Sequence, residues 1–255
     1  SWAGAYLSMA MLMSIGVITV LIIKEPDLTN REINVSGDTY WVRCVQWCKE
    51  FVVAPFVDFF RRNGRFAILV LCLIGLYRIS DITMGIMANP FYLDMGFTKI
   101  QIAQIVKIYG FGMTLLGAFV GGLLVVRYGI FRPLIAGAAM VALTNVLFAQ
   151  LSQIGADPQW LTLVISADNF SGGFSNSAFI AYLSSLTNRA YTATQYALFS
   201  SLMTLPGKFI SGFSGVIVDA SSYTHFFIYA ALLGIPAIIL AVIAYRHDRA
   251  VKNSL

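Results

Sequence analysis

Seven apolar runs of 20 to 28 residues each dominate this chain, at 2–23, 66–89, 100–126, 134–154, 160–187, 196–218 and 226–245. A bilayer core about 30 Å thick is crossed by about 20 residues rising 1.5 Å each, so every run is long enough to span as a helix. The runs are continuous rather than ten-residue alternating stretches, which predicts helices and not the strands of a membrane barrel. Pro26, Pro90, Pro133 and Pro158 mark the breaks between runs. Of the 255 residues, 58% are hydrophobic and only 11% charged, against roughly 25% charged in an ordinary globular chain. Most of this chain cannot present a solvated face. The reading is an all-α membrane protein of seven transmembrane helices, which excludes a soluble enzyme, a nucleic-acid module and a disordered tail.

Orientation follows from the basic residues, because cytoplasmic connections retain Lys and Arg. The first connection, 24–65, holds Lys24, Arg31, Arg43, Lys49, Arg61, Arg62 and Arg65. Arg127 and Arg132 lie in the third, Arg189 in the fifth, and Arg246, Arg249 and Lys252 in the tail, whereas the opposite side carries only Lys99. The odd connections and the C-terminus are therefore expected in the cytoplasm. The net charge of +5 then reports membrane orientation and not a nucleic-acid partner. The first span must enter from outside, which points to an N-terminal half upstream of Ser1; a cleaved signal peptide is the alternative.

The first connection reads as a cytoplasmic linker containing an interfacial helix. Trp41, Val45, Cys48, Val52, Phe56 and Phe59 recur at three- and four-residue spacing opposite Arg43, Gln46, Lys49 and Glu50, the pattern of a helix lying on a membrane surface. Pro55 should kink it. A helix packed on another domain remains open. Cys44, Cys48 and Cys72 make no disulfide framework, and Cys44 and Cys48 have no nearby His or second Cys pair to form a metal site. No cofactor is implied.

Subtracting the loop charges leaves Arg78, Lys107, Lys208, Asp81 and Asp168 within spans, with Asp219 at the outer end of the sixth. A mid-bilayer charge costs at least roughly 2.5 to 3.5 kcal/mol on insertion scales, so these groups should face a wet cavity or one another. They occupy the second, third, fifth and sixth spans, which predicts four lining helices and three that face lipid. Arg78 and Asp81, at i and i+3, share a face and can pair. Three polar stripes follow: Gln104, Lys107 and Thr114; Asp168, Ser171, Ser175 and Tyr182 beside Asn169 and Asn176; and Ser201, Thr204, Lys208, Ser211 and Gly215. Small-residue packing is the competing reading for the Gly and Ser positions. Pro206 and Gly207 mark a break or hinge in the sixth span, or a packing kink. Candidate substrate-binding residues are Lys107, Lys208, Gln104, Asn169, Asn176 and Tyr182; Asp168, Asp81 and Arg78 are candidates for proton coupling or an ion pair. The buried balance of +1 suits an anionic solute, and a desolvated carboxyl such as Asp168 can carry a proton.

Several of these residues stand in recognisable local sequences. Tyr77-Arg78-Ile79-Ser80-Asp81, Asn89-Pro90-Phe91-Tyr92, Gly96-Phe97-Thr98-Lys99-Ile100 and Lys107-Ile108-Tyr109-Gly110 resemble the second half of AmpG-type muropeptide permeases of the major facilitator superfamily. So do Ala167-Asp168-Asn169-Phe170-Ser171-Gly172-Gly173 and Leu205-Pro206-Gly207-Lys208-Phe209. The resemblance covers essentially the whole chain. It implies that 1–23 is the last helix of an N-terminal half, 24–65 the cytoplasmic linker, 66–245 the six-helix C-terminal half and 246–255 a cytoplasmic tail. It further implies import of anhydromuropeptides (GlcNAc-anhydroMurNAc-peptides) with protons across a Gram-negative inner membrane, in wall recycling linked to β-lactamase induction. In Gly122-Leu123-Leu124-Val125-Val126-Arg127-Tyr128-Gly129, Val126 stands where the superfamily carries an acidic residue, so no charge-relay latch is expected there.

Other readings stay open. A different carrier of anionic solutes, an exporter or an acetyl-CoA-type transporter, would show the same charges. An intramembrane enzyme needs a nucleophile with a base, and His225 and His247 lie at a membrane boundary and in the tail. A non-transporting scaffold predicts that Asp168 and Lys208 matter only to stability.

Overall fold

The computed structural model describes residues 2–23, 41, 45, 49, 53–188 and 191–253. It divides into two compact units, Ser1–Cys48 and Lys49–Leu255. The described residues of the first unit centre on α1 (Trp2–Ile22), which carries no charge. Ser8, Ser14 and Thr19 turn their hydroxyls back to the carbonyls of Gly4, Ala10 and Ile15 at 2.7–2.9 Å. In lipid, such bonds satisfy polar groups that water cannot reach.

The second unit is also helical throughout its described elements: α2 (Ala54–Asn63), α3 (Phe66–Tyr77), α4 (Ile79–Asp94), a short α5 (Lys99–Gln101) leading into a π-helix π1 (Ile102–Tyr109), α6 (Gly110–Tyr128) and α7 (Phe131–Ile154). α8 (Pro158–Leu186), α9 (Thr192–Ser211), α10 (Ser214–Ala220), α11 (Tyr223–Leu233) and α12 (Ile235–Asn253) complete it. Local chemistry sets the ends. Thr98 and Gln101 form a capping box at the start of α5, and Asp157 accepts the Gln159 N–H at 2.8 Å with Pro158 in the first turn of α8.

Among the described residues six stretches are long and apolar enough to cross a membrane: Ala3–Ile22, Phe66–Asp94, Lys99–Tyr128, Phe131–Ile154, Thr192–Ala220 and Tyr223–Val251. The remaining expected span corresponds to α8, whose 29 residues measure about 43 Å at 1.5 Å per residue. Its Ser, Asn and Asp content keeps it out of the apolar class.

Two prolines expected at or near breaks lie inside helices. Pro90 lies within α4, which continues to Asp94; the ring's fixed φ is helical, and only one backbone hydrogen bond is lost, on an exposed side. α9 likewise runs through Pro206 and stops at Gly212. Pro206 and Gly207 serve packing. A Cβ on Gly75 would stand 3.6 Å from the Pro206 ring, and one on Gly207 would sit 2.8 Å from Ile82. The second span breaks instead at Arg78, whose φ and ψ of −102° and 4° leave the helical region between α3 and α4.

Small residues allow the closest helix crossing. A Cβ on Gly117 would lie 2.1 Å from the Phe170 carbonyl oxygen, and one on Gly173 2.1 Å from that of Thr114, so α6 and α8 touch backbone to backbone. Around this crossing lie two apolar clusters. Phe59, Leu73, Ile74, Tyr77, Phe179 and Phe199 form one; Phe91, Phe148, Leu161, Phe226 and Phe227 belong to the other.

Linker expectations at Trp41, Val45 and Lys49 touch only isolated described residues, and Arg43, Cys44, Gln46, Cys48, Glu50 and Val52 lie outside them. In α2 Pro55 occupies the first turn, where a missing N–H costs nothing, rather than a kink. Phe59 is 1% exposed, so that face of α2 docks on protein instead of lipid.

Candidate functional site

Along α3–α4, α7 and α8, polar residues stand in the chain between the members of the two apolar clusters. The helix break at Arg78 places the guanidinium among them. Its Nη2 pairs with Asp81 Oδ2 at 2.5 Å, and its Nη1 donates to Asn176 Oδ1 on α8 at 2.9 Å. Both members of the ion pair keep some access to solvent, at 29% and 28% of their side-chain surface. Asp168, about two turns before Ser175 on α8, accepts a hydrogen bond from Thr144 of α7 at 3.2 Å and lies close enough to Asp81 for the two charges to act on each other. One cation and two carboxylates therefore lie near one another on α4 and α8 and at the break between α3 and α4.

Neutral polar groups secure the walls. Tyr77 donates to the Leu134 carbonyl at 2.8 Å and accepts from Ser175 at 3.0 Å. Ser80 donates to the Ala230 carbonyl at 2.7 Å and accepts from Asn145 at 2.8 Å. Each bond joins two helices where an unmatched polar group would be costly.

Of the residues singled out from sequence, the structure gathers Arg78, Asp81 and Asn176 by direct contact, with Asp168 beside them. It does not join Lys107 and Lys208 to them: both lysines are exposed, on π1 and α9. Arg78, Asp81 and Asp168 thus make a polar centre with more acid than base, and the two lysines lie on open faces. Gln104 is also exposed, whereas Thr114 turns inward to Asn169 Oδ1 at 3.0 Å. The predicted Gln104–Lys107–Thr114 stripe splits between Lys107 and Thr114: Gln104 and Lys107, both on π1, stay exposed together, while Thr114 on α6 turns inward, the i→i+5 bonding of π1 rotating it away from where an unbroken α-helix would put it.

Asn169 is held in the helix crossing, donating to the Ile165 carbonyl at 3.1 Å, with its amide 2.9 Å from where a Cβ on Gly110 would stand. Tyr182 is 2% exposed and packs edge-on against Phe131 within the apolar core. It is a core residue and not a contact for solute, because tertiary packing closes the face that periodicity left open. Ser171 and Ser175, 0% and 7% exposed, likewise face protein and not an aqueous path. In the third stripe Ser201 is exposed and Ser211 buried.

Sequence reasoning missed Thr144 and Asn145, in the span 134–154 that was taken as lipid-facing because it holds no charge; two adjacent polar residues in an apolar run were the available signal. Among the described residues no group of three or more His, Cys, Asp or Glu gathers to hold a metal ion. Cys72 is a free, exposed thiol. His225 sits at a helix start, its Nδ1 2.8 Å from the capping Ser222 hydroxyl, and His247 stacks on Phe66 at 3.9 Å.

Long apolar helices closing on a charged centre are the build of a membrane carrier, and the model of the Major Facilitator Superfamily matches residues 1–211. This chain belongs to the major facilitator superfamily. It is a multi-pass membrane protein of a transporter family whose members handle small molecules within the bilayer. Similar proteins include transporter AmpG 4 of Rickettsia conorii, 31% identical over 240 residues that make up 94% of this chain and 56% of that protein. The Anhydromuropeptide permease of Escherichia coli K12 is 29% identical over 243 residues, 95% of this chain and 47% of the permease. Transporter AmpG 3 of Rickettsia prowazekii is 26% identical over 245 residues, 96% and 57% respectively. The AmpG-type resemblance read from sequence thus holds. The chain spans about half the length of the curated relatives it matches.

Proposed function

We propose that this superfamily member is the second half of a secondary transporter that imports anhydromuropeptides from periplasm to cytoplasm by proton symport, in peptidoglycan recycling. The observation that carries the reading is the Arg78–Asp81–Asn176 contact with Asp168 beside it, at mid-level of helices that otherwise expose apolar side chains. Groups this expensive to insert are retained where solutes or protons pass. The substrate follows from the similarity to an anhydromuropeptide permease together with the chemistry of the peptide stem, which ends in carboxylates. On this reading Lys107 and Lys208, on open faces of π1 and α9, attract those carboxylates. Asp168 takes up and releases the proton, and Arg78, oriented by Asp81 and Asn176, holds the neighbouring charge steady.

We place 1–23 at the end of an N-terminal half, 24–65 as the cytoplasmic linker, 66–245 as the transporter half and 246–255 as the tail. We place the protein in a Gram-negative inner membrane, and the excess of Lys and Arg in alternate connections supports a C-terminus in the cytoplasm. The test is counterflow of labelled anhydromuropeptide in vesicles containing the full-length protein, at several external pH values. Uptake that depends on pH, and that loses the dependence in Asp168→Asn, is the expected outcome. No uptake by the full-length protein removes the substrate assignment, and unchanged pH dependence in Asp168→Asn removes Asp168 as the proton carrier.

A further inference from the structure

α2 is tied to the six-helix unit by a polar cluster centred on one buried amide. Gln195, in the first turn of α9, is 0% exposed. Its Nε2 donates to the Pro55 carbonyl at 3.0 Å and to Asp58 Oδ2 at 3.2 Å. Its Oε1 accepts the Asn188 backbone N–H at 2.8 Å and Arg62 Nη2 at 3.3 Å. Arg62 Nε and Asn188 Nδ2 meet on the same Asp58 carboxylate at 3.0 and 3.2 Å, and Arg62 Nη2 also reaches the Leu186 carbonyl at 3.3 Å. Beneath the cluster Phe59 packs edge-on against Phe199, ring centroids 5.2 Å apart.

A side-chain amide has two donors and an acceptor oxygen, and Gln195 uses both functions to join three segments: α2, the connection after α8, and the start of α9. Lifting α2 away would break the bonds of Gln195 to Pro55, Asp58 and Arg62 and that of Asn188 to Asp58 together, and linked bonds of this kind are lost at more than their single worth. The division of the chain agrees, since α2 falls in the unit Lys49–Leu255.

We propose that α2 stays clasped to the six-helix unit throughout transport, and that Gln195 and Asp58 are positioning residues that fix the adjoining ends of α8 and α9, the helices carrying Asp168, Asn176 and Lys208. The proposal rests on membership of the transporter superfamily and not on the identity of the solute.

Two measurements on the full-length protein in membranes test it. In a variant with the native cysteines replaced, Phe59→Cys and Phe199→Cys are joined by a short bifunctional thiol reagent and uptake of anhydromuropeptide is followed before joining, after joining, and after reversal. Unchanged uptake on joining supports the clasp; uptake abolished by joining and restored by reversal overturns it, because α2 would then have to undock. Hydrogen exchange supplies the second arm, which needs no solute. In the unaltered protein the amides of 58–63 and of Asn188 should exchange slowly, and Gln195→Ala should speed both together while leaving the α6–α8 crossing protected. Unprotected amides in α2, or protection indifferent to Gln195→Ala, overturns the proposal. If the unjoined protein shows no uptake, the substrate assignment fails and exchange still decides the clasp.

Discussion

Replacing Gly117 by alanine should separate α6 from α8 and destabilise the protein, while the same replacement five residues earlier should not. A Cβ at position 117 would sit 2.1 Å from the Phe170 carbonyl oxygen, 2.8 Å from its carbon and 3.0 Å from its Cα. All three are backbone atoms and cannot swing aside. The shortest tolerated carbon–oxygen contacts are about 3.3 Å, so the helices must part by roughly 1.2 Å along this line. Parting also loosens the reciprocal contact of Gly173 with the Thr114 carbonyl and that of Gly121 with Phe174. Overpacking of this kind costs about 1–3 kcal/mol, a shift of about 5- to 150-fold in the ratio of folded to unfolded protein. Gly112 is the internal control: it lies in the same helix with nothing within 4 Å of its would-be Cβ, so Gly112→Ala keeps any propensity gain, up to about 1 kcal/mol, without the clash. Gly172 and Gly173 form a second such pair on α8, with open space at the first and backbone at the second. The assay is denaturant or thermal unfolding of the full-length protein in detergent micelles. Gly117→Ala and Gly173→Ala together should cost less than the sum of the two, because they wedge one crossing. Gly117→Ala as stable as Gly112→Ala would refute the reasoning.

Three further outcomes are expected. Burial by itself raises the Asp58 carboxyl, but hydrogen bonds from Asn188 and Gln195 and the Arg62 guanidinium bring it below its ordinary value. A depressed folded-state pKa contributes stability that is complete above the unfolded value of about 3.9 and lost as pH falls through the folded one. Exchange protection of α2 should therefore fall on acidification below about pH 4, and Asp58→Asn should remove that acid-dependent step. Lys107→Ala and Lys208→Ala should each weaken binding of an anionic solute by about 10- to 100-fold, the worth of one charge-assisted contact of roughly 1.5–3 kcal/mol, with expression unchanged; equal affinity for charged and neutral analogues in wild type would contradict this. A double-mutant cycle of Arg78→Gln and Asp81→Asn should give a coupling of roughly 0.5–3 kcal/mol, toward the lower end because both side chains are more than a quarter exposed; zero coupling would mean that the pair is incidental.

Much of the architecture was decided by composition alone. Apolar runs of 20 residues or more leave a chain no soluble alternative, and in lipid the backbone can satisfy itself only within helices. That is why the spans and the Arg78–Asp81 pairing at i, i+3 are readable without coordinates. Helical spacing failed where the helix was not α: π1 separates Lys107 from Thr114, and no propensity announces an i→i+5 turn. Pro90 reads as a stop and is not, and at Pro206, where a hinge and a packing kink were both open, the helix runs on, since a proline in lipid need only lose one hydrogen bond, and in the second case its ring fits against Gly75.

Which face of a span meets protein is a property of its neighbours, and tertiary structure alone decided it. Tyr182 and Asp168 stand on one predicted stripe, yet Phe131 closes over the first while Thr144 and Asp81 surround the second. Gln195 looks like any polar residue at a helix start until the fold brings Pro55, Asp58, Arg62 and Asn188 around it. Local chemistry determines that a segment is a helix and how far it runs; contacts between segments distant in sequence determine which side chain is buried, paired or left open.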